Sequence, residues 1–423
     1  MYQLQDSSAL LRARHGLVAR GGRTRRVSRT VVLLGVVSML TDISSEMVAA
    51  VLPLYLVYSL GFTPLQYGLV DGVYQGASAL VRLASGFTGD RLRRHKEVAT
   101  SGYGLSAVCK LGLLAVGSAW GAVGAIILLD RTGKGIRTAP RDALISLNSR
   151  PETLGLSFGV HRALDTTGAM LGPLLAFGIL AVAPLAFDSI FLVSFCIAVV
   201  GVAVLVLFVN GRPAGEDEAD PPPPPSLRQA GSLVREPGFR PLLALASVLG
   251  LATMSDAFIY LALEQRVGFE PTLFPVLFVC TAAVYMILAV PAGWLADRVG
   301  RTPVFLGGYA LLLPVYGLLL APDAGWGAIP LTLGMLGAYY AATDGVLAAL
   351  GSTLSPPHLR GTGLALVGTA TSVARLLASV IFGALWVTVG IEASVACFAG
   401  ALLLALLAMA AWLARSRGAL SGA

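Results

Sequence analysis

The chain has 423 residues, of which 56% are apolar and only 13% are charged, and its formal net charge is +7. A soluble domain carries about 25% charged residues, so this composition excludes a water-soluble protein and predicts one that crosses a membrane many times. We interpret the positive charge as a signal of membrane topology and expect no nucleic-acid partner.

Apolar stretches separated by charged or Pro/Gly-rich breaks predict about twelve transmembrane helices. Stretches such as 187–209 are long enough to cross a hydrocarbon core of ~30 Å at about 1.5 Å per residue. They are too long, and too rich in Leu and Ala, for the strands of a β-barrel, which alternate over ~10 residues. The predicted spans are 31–58, 66–88, 98–117, 121–141, 154–180, 187–209, 239–263, 273–296, 303–320, 327–353, 361–387 and 393–414.

The apolar pattern is interrupted sharply by an acidic and proline-rich stretch. Glu216-Asp217-Glu218 and Asp220 precede five prolines, Pro221–Pro225, and such a stretch favours an extended linker over a membrane helix. This stretch lies between the sixth and seventh predicted spans and so divides the twelve spans into two sets of six. The predicted organisation is a basic cytoplasmic tail at 1–30, an N-terminal six-helix bundle at 31–209, a cytoplasmic linker at 210–238, a C-terminal six-helix bundle at 239–414 and a cytoplasmic tail at 415–423.

Basic residues predict the orientation in the membrane. They concentrate in the N-terminal tail and in the loops after the even-numbered spans, whereas Arg266 is the exception in the opposite loops. Because cytoplasmic loops carry an excess of Lys and Arg, both termini are expected in the cytoplasm. We expect a multi-pass protein of the inner (plasma) membrane, and the first 30 residues are too polar for a cleavable signal peptide.

No motif for a metal, a cofactor or an enzyme reaction is found. Cys109, Cys196, Cys280 and Cys397 lie in apolar spans without Cys-x-x-Cys spacing and are interpreted as small core residues. Gly133-Lys134-Gly135 lacks the spacing of a phosphate-binding loop, so we expect any coupling to use an ion gradient. An intramembrane enzyme is disfavoured because no His-Glu-x-x-His, Gly-x-Ser-x-Gly or Cys/His cluster is present, and a sensor because no sizeable soluble domain is present.

The two halves repeat one pattern. Gly86-Phe-Thr-Gly-Asp90-Arg91 and Gly293-Trp-Leu-Ala-Asp297-Arg298 each close an apolar span, and their Asp-Arg pairs are 207 residues apart. Asp42 and Asp256 occupy matching places in spans 1 and 7. Duplicated halves of this kind are typical of carriers. The expected fold is an all-α polytopic membrane protein, with about twelve helices in two pseudo-symmetric six-helix bundles.

These motifs resemble the major facilitator superfamily over essentially the whole chain. Its loop 2–3 signature, Gly-x-x-x-Asp-Arg-x-x-Arg-Arg-x-Lys, matches Gly86–Lys96, with Arg93 and Arg94 crowding the usual glycine position. In that family, a contact made by this loop holds the cytoplasmic side of the protein in one conformation. The resemblance implies a latch role for six residues: Gly86, Asp90, Arg91, Arg94, Asp297 and Arg298.

A second resemblance lies in span 5. Antiporters of the family show Gly-x8-Gly-x3-Gly-Pro, and Gly159, Gly168, Gly172 and Pro173 stand at that spacing, although the closing glycine pair is missing. The motif is similar to that of drug:proton antiporters, and the run Asp130–Asp142 resembles a poorly characterised bacterial branch. Small residues let helices approach closely in lipid, and proline loosens a helix.

Charged residues inside apolar spans are the candidate proton and substrate sites, because each costs roughly +2.5 to +3.5 kcal/mol at the centre of the membrane. Asp42 and Glu46 lie four residues apart on one helix face. In a low-dielectric cavity, ionisation of both acids is unfavourable because their charges repel. Arg131 is the predicted counter-charge. The candidate residues are Asp42, Glu46, Asp71, Arg82, Lys110, Asp130, Arg131, Arg162, Asp165, Asp256, Asp344 and Arg375.

The sequence therefore predicts a secondary transporter that works by alternating access, with proton-coupled efflux of a small organic compound as the first hypothesis. The alternative within transport is a proton- or ion-coupled importer of a metabolite, an anion or a metal chelate. The expected partners are a small-molecule substrate, protons and the lipid bilayer. No cofactor is expected, and the protein is expected to be a monomer.

Overall fold

The computed structural model describes residues 27–92, 94–149, 153–209, 233–236, 238–322, 325–355 and 360–421. Within these ranges the side chains of 79–80, 82–92, 154–155, 360–361 and 412–421 are not described. The regular elements of the described ranges are helices, as the long apolar runs predict.

Six long helices form the N-terminal half. The first continues from Leu54 into a π-helical turn at Tyr55–Ser59. The six are α1 (Arg29–Leu54), α2 (Pro64–Leu92), α3 (His95–Ala115), α4 (Trp120–Leu147), α5 (Leu154–Val182) and α6 (Phe187–Phe208).

The C-terminal half makes six more passes, two of which are divided into shorter helices. Its helices are α7 (Phe239–Leu251), α8 (Asp256–Val267), α9 (Phe274–Val299), α10 (Arg301–Ala310), α11 (Leu312–Leu320), α12 (Ala328–Leu354), α13 (Arg360–Val389) and α14 (Ile391–Ser421). The predicted span at 239–263 corresponds to one membrane-crossing stretch, Phe239–Val267, in which the helix is interrupted between α7 and α8. Ser255 caps α8 there by accepting a hydrogen bond from the Phe258 amide at 3.4 Å.

Ten helical stretches in the described residues are long and apolar enough to cross a membrane. The two remaining long helices, α2 and α4, carry many polar and charged residues, and α4 alone includes Asp130, Arg131, Lys134 and Arg137. Both pack among the apolar helices, since α4 runs against α2 and α3. The chain is an all-α polytopic membrane protein, and its described residues make twelve helical passes, as predicted.

The halves pack together through α2 and α13. We call the end of the bundle where α1 begins the near end and the opposite end the far end. A Cβ added at Gly68 of α2 would lie 2.5 Å from the Ser379 carbonyl oxygen. A Cβ added at Gly383 of α13 would lie about as close to the Pro64 carbonyl oxygen. Phe258 of α8 stacks edge-on against Tyr67, with ring centroids 4.9 Å apart. These contacts bring the halves together from the middle of the bundle to the far end.

Candidate functional site

Helix α4 carries a stripe of basic residues into the middle of the N-terminal half. Arg131, Lys134, Arg137 and Arg141 follow one another at spacings of three or four residues, so they share one helix face. Glycines on the other faces let α4 approach its neighbours. A Cβ on Gly133 would lie 2.7 Å from the Gly102 carbonyl of α3. The Gly-Lys-Gly sequence therefore serves helix packing and turns the basic residues towards α1 and α5.

At the Arg131 end of the stripe, one carboxylate accepts hydrogen bonds from two basic side chains. Asp130 accepts hydrogen bonds from Lys110 at 2.8 Å through Oδ1 and from Arg131 Nε at 3.0 Å through Oδ2. The Ser106 hydroxyl also donates to Oδ1. The Arg131 guanidinium lies 4.0 Å from the centroid of the Tyr74 ring, which is a cation–π contact. Three of the predicted residues, Lys110, Asp130 and Arg131, thus form one buried cluster.

Asp42 has a carboxyl partner on another helix. The Asp42 and Asp165 carboxyl groups lie near each other across the α1–α5 interface and interact electrostatically, and their residues are 7% and 4% exposed. The sequence paired Asp42 with Glu46, whereas in the structure Glu46 interacts electrostatically with Arg131 and Lys134. The fold therefore gives the two acids of α1 different partners.

Basic residues flank the Asp42–Asp165 pair. Arg137 approaches Asp42 to 3.8 Å, with its guanidinium 4.8 Å from the centroid of the Tyr103 ring. On the other side, Arg162 lies 3.1 Å and Arg141 3.8 Å from Asp165. A negative charge on this pair is consequently balanced by guanidinium groups of α4 and α5.

Hydroxyl groups and the His161 imidazole extend the network, and the sequence did not mark the hydroxyl groups as candidates. Ser38 of α1 contacts His161 Nε2 at 2.9 Å and accepts a hydrogen bond from Arg141 at 3.3 Å. The Tyr103 hydroxyl is 3.4 Å from the same serine oxygen. The sequence signal for such groups is a single polar residue on an apolar helix. This signal is weak, because such a side chain can also bond to a carbonyl of its own helix, as the Thr41 hydroxyl does.

The C-terminal half holds a smaller charged site. The Tyr340 hydroxyl donates to Asp256 at 2.5 Å, and Arg375 donates to the Tyr339 hydroxyl at 3.4 Å. Asp256 and Asp344 both interact electrostatically with Arg375. These three predicted residues thus come together, next to the break between α7 and α8.

Asp71 links the two halves. Its carboxylate accepts a hydrogen bond from Ser379 of α13 at 2.7 Å, although it belongs to α2. At the far end, the Tyr58 hydroxyl donates to the Glu264 carboxylate, which also joins the halves. Asp71 therefore lies at the contact between the halves and apart from the α4 stripe.

The span-5 glycines pack α5 against α1. A Cβ on Gly168 would collide with the Met39 backbone, and one on Gly172 would lie 2.7 Å from the Ile43 carbonyl. Nothing lies within 4 Å of the corresponding point at Gly159, and α5 remains one helix through Pro173. Close packing therefore occurs on both sides of Asp42.

The predicted latch residues are described only in part. Gly86 and the side chains of Asp90 and Arg91 lie outside the described side chains, as does that of the candidate cavity residue Arg82, and Arg94 is exposed. In the second copy, Asp297 is 3.7 Å from Arg301 on the neighbouring helix, and Arg298 stacks on Trp294 at 3.6 Å. The latch role of both copies stays a prediction.

Comparison with protein families identifies the fold family. The model of the Major Facilitator Superfamily matches residues 34–283 and 251–422. The chain belongs to the major facilitator superfamily. This major facilitator is 32% identical over 386 residues to an uncharacterised MFS-type transporter of Methanocaldococcus jannaschii, covering 88% of the chain and 92% of the relative. An uncharacterised protein of Mycobacterium tuberculosis is 38% identical over 154 residues, 36% of this chain and 37% of that protein.

Solved transporters share the fold of this major facilitator. The nucleoside transporter NupG superposes with a TM-score of 0.75 at 14% identity, over 91% of this chain and 99% of that one. The human organic anion transporter MFSD10 superposes with a TM-score of 0.61 at 17% identity, over 91% and 99%. At these identities the likeness establishes the fold alone, while the family membership makes the protein a secondary transporter.

Proposed function

We propose that this major facilitator is a proton-coupled antiporter that exports a small organic compound by alternating access. The observation that carries the proposal is the placement of two buried carboxyl groups, Asp42 and Asp165, near each other in the interior of the N-terminal half. Two neighbouring carboxyl groups in a low-dielectric interior favour sharing one proton, since two ionised groups there repel each other. We infer that this shared proton is the coupling proton.

The flanking bases support release of that proton. Arg137 lies beside Asp42, while Arg141 and Arg162 lie beside Asp165. When the proton leaves, these guanidinium groups balance the second negative charge. In our proposal, a shift of α4 relative to α1 and α5 changes the distances to these bases and thereby the affinity for the proton.

The glycine packing connects the proton to the conformational change. Gly168 and Gly172 hold α5 directly against the α1 backbone around Asp42. Bulkier residues would separate these helices, whereas close backbone contact makes each helix respond to a small shift of the other. We propose that loss of the shared proton repels α1 from α5 and so favours the alternative state.

The orientation follows from the basic loops at the near end, which we assign to the cytoplasm by the positive-inside rule. Both termini are then cytoplasmic, as expected for a multi-pass protein of the inner membrane. The contacts of α2 with α13 join the halves towards the far end. We propose that the structure corresponds to a state closed towards the outside, in which protons and substrate exchange with the cytoplasm.

Proton-coupled import of an organic anion is the second candidate. It is favoured by the composition of the charged cluster in the N-terminal half, where basic side chains outnumber acidic ones. The basic members are Lys110, Arg131, Lys134, Arg137, Arg141 and Arg162, and the acidic members are Asp42, Glu46, Asp130, Asp142 and Asp165. A shared proton on Asp42–Asp165 increases the excess of positive charge.

Everted membrane vesicles distinguish the two candidates. Respiration acidifies their lumen, and a panel of small organic anions, cations and neutral compounds is added outside while lumenal pH is followed. An exporter that exchanges its substrate for protons discharges the gradient when its substrate is added. An importer that moves both in the same direction does not, because its substrate is absent from the lumen.

The variants Asp42→Asn and Asp165→Asn test the proton site, and Asp188→Asn, an exposed acid at the start of α6, is the matched control. We expect discharge to be lost in the first two variants and retained in the control. Infrared spectroscopy of the purified protein checks the site without a substrate, since Asp42→Asn should remove the C=O band of a protonated carboxyl. Discharge that survives in both pair variants would disprove the proposed proton site.

A further inference from the structure

His161 is a buried imidazole next to the carboxyl pair. Its residue is 3% exposed and lies in α5, four positions before Asp165. The neighbouring helices α1 and α3 contribute the Ser38 and Tyr103 hydroxyls at this point. The charged groups that interact with the imidazole come from α4 and α5 and are Arg141, Asp142, Arg162 and Asp165. Because a charged group is unfavourable in the interior, we assign the ring as neutral in this state, and a neutral ring can accept a proton.

The contact of His161 with Ser38 repeats the geometry of the carboxyl pair. Ser38 Oγ lies 2.9 Å from His161 Nε2, and these residues are 123 positions apart, as are Asp42 and Asp165. Within each helix the two residues are four positions apart, so they share a face and are separated by about 6 Å along the axis. The two contacts are therefore consecutive levels of one interface, and the Ser38–His161 level is nearer to the near end.

Ser157 supplies an independent observation at the next level. It lies four positions before His161 on the same face of α5, and its residue is 1% exposed. Among the described residues, Ser157 Oγ is a buried polar atom that has no hydrogen-bond partner. The same register places the apolar Leu34 opposite it on α1. A buried hydroxyl without a partner is unfavourable, and a water molecule between Ser157 and His161 would provide that partner.

We propose that His161 and Ser157 transfer the coupling proton between the carboxyl pair and the near end. The neutral imidazole accepts the proton of the pair at one ring nitrogen and releases a proton from the other towards Ser157. Because the levels are about 6 Å apart, a bridging water molecule completes each transfer. Once the pair has lost its proton, its second negative charge stabilises the imidazolium. The inference rests on the proposed function, because it assumes that the pair holds the coupling proton.

A pH jump tests this route without a substrate. The purified full-length protein in nanodiscs is moved rapidly from acidic to alkaline buffer, and infrared spectroscopy follows the carboxyl C=O band that Asp42→Asn removes. Since a positioned acid–base group typically contributes about 10²–10⁴-fold to a proton-transfer rate, we expect His161→Gln to slow the loss of the band at least about tenfold. The midpoint pH of the band should stay the same, because the amide is neutral and can still bond to Ser38.

The rate and the midpoint together separate proton transfer from a structural role. A structural role of His161 would change the midpoint pH of the band, and the rate would then change only in proportion. That result would overturn the proposal, as would equal rates of band loss in the wild-type protein and in His161→Gln.

Ser157→Ala tests the next level and keeps the proposal testable if His161→Gln does not fold. This variant removes no hydrogen bond that the described residues make, so we expect its unfolding temperature not to fall. We nevertheless expect loss of the band to be about three- to tenfold slower. The control is Thr167→Ala on the exposed side of α5, where the hydroxyl bonds to the Ala163 carbonyl. A wild-type rate in Ser157→Ala would contradict the route through this hydroxyl.

The pH jump uses neither a substrate nor a gradient, so its outcome is separate from that of the vesicle assay. Slow loss of the band in both variants, with wild-type vesicles that no compound discharges, would support this route and count against the proposed exporter. Wild-type rates in both variants, with discharge that requires Asp42 and Asp165, would overturn this inference and leave the proposed function intact. Absence of the band from the wild-type protein would overturn both, because the pair would then hold no proton.

Discussion

The Asp71 carboxylate of α2 accepts a hydrogen bond from the Ser379 hydroxyl of α13 at 2.7 Å, and this bond joins residues 308 positions apart in the chain. Both groups are buried, so the bond forms where water does not compete strongly. It lies beside the glycines at which α2 and α13 touch. Opening towards the far end requires that this bond and this packing break together.

Replacing Ser379 by alanine should favour opening towards the far end. A hydrogen bond to a charged group contributes about 1.5–3 kcal/mol, so we expect the open population to rise roughly tenfold or more. Spin labels at Trp120→Cys and Trp326→Cys, in a background without native cysteines, report the distance between the halves. Thr371→Ala is the control, because the Thr371 hydroxyl bonds only to carbonyls of its own helix among the described residues.

A side chain at Gly383 should prevent close contact of the halves. Gly383→Val places atoms against the Pro64 carbonyl, and overpacking of a close contact costs about 1–3 kcal/mol. We expect vesicle discharge to slow by about tenfold. Gly400→Val should have little effect, since nothing lies within 4 Å of a Cβ at Gly400. Equal discharge rates for the two variants would contradict a role of this contact in transport.

Breaking the Lys110–Asp130 pair should destabilise the N-terminal half. Lys110→Met leaves a buried carboxylate with one cation fewer, and removal of one partner of a buried pair costs about 3–5 kcal/mol. We expect a lower unfolding temperature in detergent. The double variant Lys110→Met, Asp130→Asn should unfold at a higher temperature than Lys110→Met, because it also removes the unbalanced charge.

Loss of the Tyr74 ring should weaken the position of Arg131. The guanidinium stacks on that ring at 4.0 Å, and a desolvated cation–π contact contributes about 2 kcal/mol. We expect Tyr74→Leu to lower the unfolding temperature more than Tyr74→Phe, which keeps the ring. Equal losses in both variants would assign the effect to the hydroxyl.

The two Asp-Arg copies should differ in importance. Asp297 is 63% exposed and lies 3.7 Å from Arg301, and exposed ion pairs contribute about 0–1 kcal/mol. We expect Asp297→Asn to change vesicle discharge little and Asp90→Asn, in the copy that matches more of the family signature, to reduce it strongly. A strong loss in both variants would show that the second copy also acts as a latch.

Local sequence patterns were sufficient for the fold class, whereas the roles of the charged residues stay predictions. Apolar length predicts a membrane helix because the hydrocarbon core offers backbone groups no other partner. The interruption between α7 and α8 did not stand out in the hydropathy pattern, because Thr253, Ser255 and Asp256 lie between two long apolar runs. The pairing of Asp42 with Asp165 was also missed, since the residues are 123 positions apart and only the packing of α1 against α5 brings them together.

By itself, the sequence determined that this protein is a bundle of membrane helices with acids and bases buried inside it. Hydropathy, glycine spacing and the Asp-Arg repeat are local properties, and they can be recognised before the chain folds. Only the tertiary structure decided which charges meet and which glycines lie at a contact. Those outcomes depend on how each helix is rotated and displaced against its neighbours, and the positions along one helix leave that rotation free.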